Sequence, residues 1–169
     1  DLGGEPPGRL ITAMLEPFGI DVAVIKARPL REEDRTCYLC ARNRRSQLFD
    51  LAAEWGMGKI ALGHHKDDLL ETLFLNMIYS GNISTMVPKQ VLFDGDVEII
   101  RPLAYLDKND IREVASLVGM DSVKNYCPLE KDTRRETIRS LLTEVYRCEP
   151  GAKKSLFHAL KNVRHEYLL

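Results

Sequence analysis

The chain has 169 residues, which is enough for one domain with a sizeable hydrophobic core. Its 24 Lys and Arg residues nearly balance its 25 Asp and Glu residues, so any nucleic-acid surface must be a local patch rather than a general positive field. No apolar stretch approaches the length of a membrane span, and we therefore expect a cytoplasmic protein without a membrane partner.

The first part of the chain predicts a helix, a strand and a loop in turn. Residues 10–15 carry apolar side chains at helical spacing, and this predicted helix ends before Gly19. The apolar run 22–25 predicts a buried strand. The charged stretch 26–36 has no apolar pattern and is expected to be a loop.

The middle of the chain predicts an α/β unit. A helix is expected over 38–56, a short strand over 60–62 and a further helix over 70–81. Strand, turn and helix in this order are typical of folds with parallel strands. Two more apolar runs, 91–93 and 97–100, flank an Asp-Gly pair and predict either a β-hairpin or one strand with an excursion.

The last third of the chain is predicted to be helical. Asp107 is the expected N-cap of the first of three helices, whose apolar faces lie at 111–118, 138–145 and 156–163. The predicted fold class is therefore α/β, a partial Rossmann-like parallel sheet with a C-terminal helical tail. The expected division is an α/β domain over 1–105 and a helical extension over 106–169.

Three of the four cysteines form a candidate metal site. Cys37 and Cys40 lie where a loop becomes a helix, so the positive helix end favours thiolates and the spacing lets both reach one ion. Cys127, followed by a proline, supplies a third thiolate. A closed zinc site would also need Cys148, but a lone cysteine near a helix end is more typical of a small buried hydrophobe. An iron–sulfur cluster on three thiolates is favoured, with zinc as the alternative and redox chemistry left open.

A second candidate site follows the strand at 60–62. Open α/β sheets bind ligands beyond the carboxyl ends of their strands, which is where Gly63 and His64 lie. Asp67 and Asp68 have two interpretations: they hold Mg²⁺ between substrate phosphates, or they complement the dipole of the helix that begins there. The residues alone do not decide between these interpretations, and His64 could equally be a hydrogen-bonded turn residue.

Basic residues follow the first cysteine pair. Arg42, Arg44 and Arg45 form either a solvated helix face or, beside a metal site, a clamp for nucleic-acid phosphates. Further basic residues lie at 131–139 and 153–164. Acidic residues are interleaved with the first of these two stretches, so ion pairing within the helix competes there with RNA contact.

Together these blocks resemble a known family. The run 60–68, with Glu71 after it, is similar to the second signature motif of the tRNA-modifying PP-loop ATP pyrophosphatases, a motif shared with the lysidine synthetases. The cysteine and arginine block at 37–45, together with Cys127, resembles the two-thiocytidine branch of that family. Arg101 also stands where that branch carries a similar residue.

The resemblance implies ATP-dependent tRNA thiolation, in which a tRNA cytidine is adenylated and sulfur delivered through the cluster then displaces AMP. It implies ATP, Mg²⁺ and a 4Fe–4S cluster as cofactors. It implies tRNA and a sulfur donor, for example a cysteine desulfurase, as partners, and leaves open whether the protein forms a homodimer. The implied roles are cluster ligation by Cys37, Cys40 and Cys127, nucleotide binding by Gly63, His64 and Asp67, catalysis by Asp67 and Asp68, and RNA binding by Arg42, Arg44, Arg45 and Arg101.

One family motif, the Ser-Gly-Gly-x-Asp-Ser phosphate loop, does not occur in these residues. The backbone amides of that loop cradle pyrophosphate, so we expect the chain to be a fragment that is inactive towards ATP by itself. Two alternatives remain: a PP-loop ligase similar to lysidine synthetase with a structural zinc site, and a non-catalytic metal-bearing RNA-binding module.

Overall fold

A computed structural model describes residues 7–31, 33, 35–120, 122–123 and 134–167. Contacts between residues divide the chain into two compact units, each made of two separate stretches of sequence. The first unit comprises Asp1–Gly58 and Asn109–Lys131, and the second comprises Lys59–Lys108 and Asp132–Leu169. The predicted division after residue 105 stays a prediction.

Helices dominate the described residues, and three short strands accompany them. In chain order the elements are α1 (Pro7–Leu15), α2 (Cys37–Glu54), β1 (Lys59–Ala61), α3 (Lys66–Ser80), β2 (Lys89–Leu92), β3 (Val97–Ile100), α4 (Lys108–Leu117), α5 (Arg134–Cys148) and α6 (Ala152–Ala159). Within the described ranges, no helix combines the length and apolar character needed to cross a membrane.

The first unit contains one departure from the predicted elements. The run 22–25 is irregular rather than a buried strand, and Val24 exposes 67% of its surface, so that prediction is wrong. A strand needs a neighbour for its backbone hydrogen bonds, but side chains of α2 hold the following residues instead. Asn43 Nδ2 donates to the carbonyl of Arg28 (2.9 Å), and the Arg28 N–H donates to Gln47 Oε1 (2.7 Å).

The second unit is built on a three-stranded sheet with the order β1–β3–β2. β1 pairs with β3 in parallel, with Ile60 opposite Ile99, and β2 pairs with β3 antiparallel. Parallel strands are therefore present, as predicted, and the hairpin interpretation of residues 91–100 is confirmed. At the hairpin turn Asp94 has a φ of 54° and Gly95 a φ of 111°, the left-handed backbone that an Asp-Gly pair tolerates best.

The hydrophobic core of the second unit lies between α3 and α5. Leu70 is fully buried and packs with Leu73 of the same helix and with Ile138 and Leu142 of α5. The three- and four-residue spacings place each pair on one helix face. These contacts fix α3, and with it the residues that open α3, against α5.

Candidate functional site

The turn after β1 and the loop after β3 lie side by side at one edge of the sheet. Because these strands are parallel, both chains leave the sheet at the same edge. The N–H of Leu62 donates to the carbonyl of Ile100 (2.9 Å), and the N–H of Lys66 donates to the carbonyl of Leu106 (3.1 Å). The backbone therefore holds together the edge at which α/β folds bind ligands.

Gly63 leaves open space at the start of α3. No described atom lies within 4 Å of the position that a Cβ would take there, so packing against the described residues does not require glycine. His64 beside it is partly buried in the same turn. The amino end of a helix attracts anions, so this turn is a candidate position for a phosphate-bearing ligand.

Asp68 caps its own helix. Its Oδ2 accepts a hydrogen bond from the N–H of His65, the N-cap residue of α3, at 3.0 Å. Its Oδ1 lies 3.6 Å from Arg135 Nη1 on α5. One carboxylate thus serves the start of the helix, as the structural alternative predicted. The catalytic role of Asp68 stays a prediction.

Asp67 contacts two other residues of the second unit, Lys108 and Lys153. Its Oδ2 accepts from the N–H of Lys108 (3.1 Å), and its Oδ1 lies 2.7 Å from Lys153 Nζ on α6. Burial raises the pKa of Asp67, but the hydrogen bonds from Lys153 and Lys108, with the charges of Lys153 and His65, outweigh burial and lower the pKa below 3.8. Asp67 is therefore ionised at neutral pH.

Lys153 extends this contact into a network of four charges. Its Nζ also lies 2.6 Å from Asp107 Oδ1, and Lys66 Nζ lies 2.5 Å from Asp107 Oδ2. Burial lowers the pKa of Lys153, but hydrogen bonds to Asp107 and Asp67 raise it above its ordinary value overall. We call Lys66, Asp67, Asp107 and Lys153 the Lys153 network; its two carboxylates and two ammonium groups balance in charge.

Glu71 forms a second charged contact, between α3 and α5. Its side chain is 8% exposed, and its Oε1 lies 3.0 Å from Arg139 Nε. Arg135 Nη1 lies 3.7 Å from Glu71 Oε2. The hydrogen bond with Glu71 raises the pKa of Arg139. The motif residue Glu71 therefore anchors α5 beside the residues that open α3.

The first unit carries the predicted cysteine pair. Cys37 and Cys40 lie in the first turn of α2, and Thr36 caps the helix by accepting the N–H of Leu39 at its Oγ1 (3.2 Å). Cys37 is exposed and Cys40 is partly buried. The predicted position at the start of a helix is confirmed. Residues three apart share a helix face, so both sulfurs can reach one ion.

Of the remaining two cysteines, only Cys148 lies within the described residues. Cys127, the third predicted ligand, lies outside the described residues. Cys148 was expected to be buried, but this last residue of α5 is exposed. Its Sγ lies 3.6 Å from Glu144 Oε1. That prediction is wrong because this face of α5 is polar and points away from the core. Among the residues that the structure describes, no three His, Cys, Asp or Glu side chains form a metal-holding group.

The arginines predicted to bind RNA fall into two environments. Arg42, Arg44 and Arg45 are exposed along α2. Arg101 is only 6% exposed, and its guanidinium donates to the carbonyl of Val87. Arg101 thus braces the residues that lead into β2, while RNA binding by all four arginines stays a prediction.

A family model described as a PP-loop domain matches residues 9–146. The chain belongs to the PP-loop family. Curated PP-loop relatives include the tRNA-cytidine(32) 2-sulfurtransferase of Pseudomonas fluorescens, 36% identical over 165 residues, and that of Nitrosomonas eutropha, 40% identical over 156 residues. These alignments cover 93% and 90% of this chain but only 60% and 50% of the relatives. The chain therefore spans about half to three-fifths of the length of these relatives.

A solved PP-loop structure has the same fold. The U34-tRNA thiolase NcsA from Methanococcus maripaludis, solved with its [4Fe-4S] cluster, matches with a TM-score of 0.76 at 20% identity. The match covers 95% of this chain and 56% of that protein. The predicted α/β fold class is confirmed by this likeness, and the resemblance to the two-thiocytidine branch is confirmed by the curated relatives.

Asp107 and Lys153 were not identified from the sequence as residues of the candidate site. Asp107 was expected only as a helix cap, and Lys153 only as part of a basic stretch, yet both contact the Asp67 region. A signal for Asp107 was present, because it follows the second strand of the parallel pair by one short loop. Lys153 carried no such signal, since nothing in its spacing reveals which surface α6 packs against.

Proposed function

We propose that the protein acts in ATP-dependent thiolation of tRNA, replacing an oxygen of a cytidine with sulfur. One observation carries this proposal. An ionised Asp67 and the open space beside Gly63 lie together where the parallel strands end, in a chain whose curated PP-loop relatives are tRNA-cytidine 2-sulfurtransferases. The same edge would serve the lysidine synthetase alternative, so the test must detect sulfur itself.

The reaction requires activation of the base before sulfur can enter. In the proposed sequence, the carbonyl oxygen of cytidine attacks the α-phosphorus of ATP and pyrophosphate leaves. A sulfur nucleophile then attacks the activated carbon, and AMP leaves with the original oxygen. Asp67 offers hard oxygen ligands that suit Mg²⁺ between phosphates, and the positive end of the α3 dipole favours a phosphate nearby.

Cys37 and Cys40 suit a 4Fe–4S cluster, which we propose as the sulfur-handling cofactor. They lie in the first turn of α2, where the helix dipole favours thiolates. Cys127 is the proposed third ligand. A cluster held by three thiolates has one open iron, which supplies a binding position for sulfur. tRNA and a sulfur donor, proposed to be a cysteine desulfurase, complete the reaction, and the proposed location is the cytoplasm.

Nucleoside mass spectrometry of tRNA tests the reaction directly. The protein, expressed at its natural length in a bacterium that lacks its own 2-thiocytidine enzyme, should restore 2-thiocytidine in tRNA. The variant Asp67→Asn should restore much less, whereas Asp94→Asn, an exposed aspartate in the hairpin turn, should match the unchanged protein. A lysidine-type adduct, or no modified cytidine, would overturn the proposal.

Metal content of four single variants tests the cluster. After anaerobic purification, Cys37→Ala, Cys40→Ala and Cys127→Ala should each lose iron and acid-labile sulfide, because two thiolates are too few anchors for the cluster. Cys148→Ala should retain both. Zinc in place of iron, with equal loss in all four variants, would favour a closed structural zinc site and contradict the cluster.

A further inference from the structure

Four side chains of the second unit form a continuous row from the Lys153 network to the surface. Lys66 Nζ lies 5.5 Å from the ring centroid of Phe157, and the rings of Phe157 and Tyr105 meet edge to face at 6.0 Å. Lys161 Nζ then lies 4.6 Å from the ring centroid of Tyr105. The row alternates from a cation through two aromatic rings to a second cation, and we call it the cation–aromatic row.

The outer end of the row is exposed although its backbone is fixed. Tyr105 exposes 51% of its surface, whereas Ala104 before it is fully buried. The carbonyl of Leu106 accepts the N–H of Lys66, and the N–H of Leu106 donates to the carbonyl of Leu103 (3.0 Å). A large aromatic side chain held in this way loses little conformational freedom when a ligand stacks on it.

Charge also distinguishes this end of the second unit. Arg139 on α5 is paired with Glu71, and Lys153 is paired within the Lys153 network. Neither Lys161 nor Lys154 has an ion pair with any described residue, and the whole stretch 152–167 carries one acidic residue, Glu166. The ammonium of Lys161 beside Tyr105 is therefore not neutralised by a described carboxylate, which suits contact with a phosphate.

We propose that Tyr105 and Lys161 form a docking point for an unpaired nucleotide of tRNA. The Tyr105 ring stacks on the base, and the Lys161 ammonium pairs with the neighbouring phosphate. Aromatic rings beside ammonium groups are the usual platform for single-stranded nucleic acid. This inference rests on the proposed function, because the inner end of the row reaches the network that holds Asp67, so a docked nucleotide lies next to the proposed nucleotide site.

Binding of the purified protein to an unmodified tRNA transcript, measured by fluorescence anisotropy over a range of salt concentrations, tests the docking point. Tyr105→Ala should weaken binding by roughly five- to 150-fold, the loss of one stacked base, whereas Tyr105→Phe should bind like the unchanged protein. Lys161→Ala should reduce the slope of log affinity against log salt by about 0.7 to 1.

Two variants serve as matched controls. Tyr167→Ala removes another exposed tyrosine, and Lys59→Ala removes a lysine at the amino end of β1 whose partner Glu98 keeps Lys89 at 2.7 Å. Both should bind tRNA within about twofold of the unchanged protein. A circular-dichroism melting curve for each variant identifies any loss that comes from unfolding. If Tyr105→Ala unfolds, the salt slope of Lys161→Ala decides, because Lys161 is exposed, and an unchanged slope would overturn the docking point.

The outcomes separate this inference from the proposed function. Normal tRNA binding by Tyr105→Ala, or equal losses in Tyr105→Ala and Tyr167→Ala, would overturn the docking point while leaving thiolation untouched. A Tyr105-dependent affinity in a protein that forms no 2-thiocytidine would instead support the docking point and overturn the proposed reaction.

Discussion

Lys153→Met isolates the energetic contribution of the Lys153 network. Methionine keeps the apolar stem but removes the ammonium that lies 2.7 Å from Asp67 and 2.6 Å from Asp107. Removing one partner of a fully buried ion pair costs about 3–5 kcal/mol, and an exposed pair contributes about 0–1 kcal/mol. The Lys153 side chain is 24% exposed and Asp107 keeps Lys66, so we expect a loss of about 1–2 kcal/mol in the free energy of unfolding.

The pH dependence of this loss has a defined sign. Both carboxylates have pKa values lowered below 3.8, so their contribution is present above that pH and disappears as the pH falls through the folded values. The pKa of Lys153 is raised above 10.5, so its contribution is lost only as the pH rises through the folded value. The difference between Lys153→Met and the unchanged protein should therefore be constant between these limits and shrink below pH 3.8.

Urea unfolding followed by circular dichroism at several pH values measures this difference. The neighbouring Lys154→Met is the matched control, since Lys154 is exposed and should change the free energy of unfolding by at most about 0.5 kcal/mol. Equal effects of the two substitutions, or a Lys153→Met effect that persists unchanged below pH 3.8, would refute the argument.

Further predictions concern the core, a helix cap and two charged residues. Leu70→Ala should lower the free energy of unfolding by about 2.7–5 kcal/mol, because Leu70 is fully buried. A loss below about 1 kcal/mol in urea titration would contradict the packing of Leu70 in the hydrophobic core. Thr36→Ala should cost about 1 kcal/mol and Thr36→Ser much less, and equal costs would show that the cap is unimportant. Arg139→Met should cost about 1–2 kcal/mol by leaving Glu71 with only a distant partner, and combining it with Glu71→Leu should recover most of that loss in the same titration. Arg44→Ala should lower the salt slope of tRNA binding by about one unit if this residue contacts phosphate, and an unchanged slope would indicate a solvated helix face.

Local sequence patterns predicted the elements whose geometry depends on nearby residues. The hairpin at the Asp-Gly pair and the helix that begins at Cys37 both follow from turn and cap chemistry that involves a few neighbouring positions. The run 22–25 shows the limit of such patterns. Its apolar residues suit a strand, but a strand forms only where another strand offers backbone partners, and local sequence does not reveal that.

The candidate site was predictable to a similar extent. Because Gly63 and Asp67 follow a predicted strand, the sequence correctly indicated that they lie at the carboxyl edge of the parallel pair. The charges that surround Asp67 were not predictable, because Asp107 lies 40 residues away in sequence and Lys153 lies 86 away. Ion pairs between distant residues depend on how whole helices pack, so residue spacing contains no direct signal for them.

The division of the second unit into two stretches has a consequence for synthesis of the protein. Residues 59–108 leave the ribosome before 109–131, and residues 132–169 follow after both. Asp67 lacks its partner Lys153 until α6 has been synthesised. Glu71 likewise lacks its partner Arg139 until α5 has been synthesised. The residues at the proposed nucleotide site therefore acquire their final charges and positions only near the end of translation. A nascent chain stalled before residue 153 would carry the motif without its native electrostatic environment.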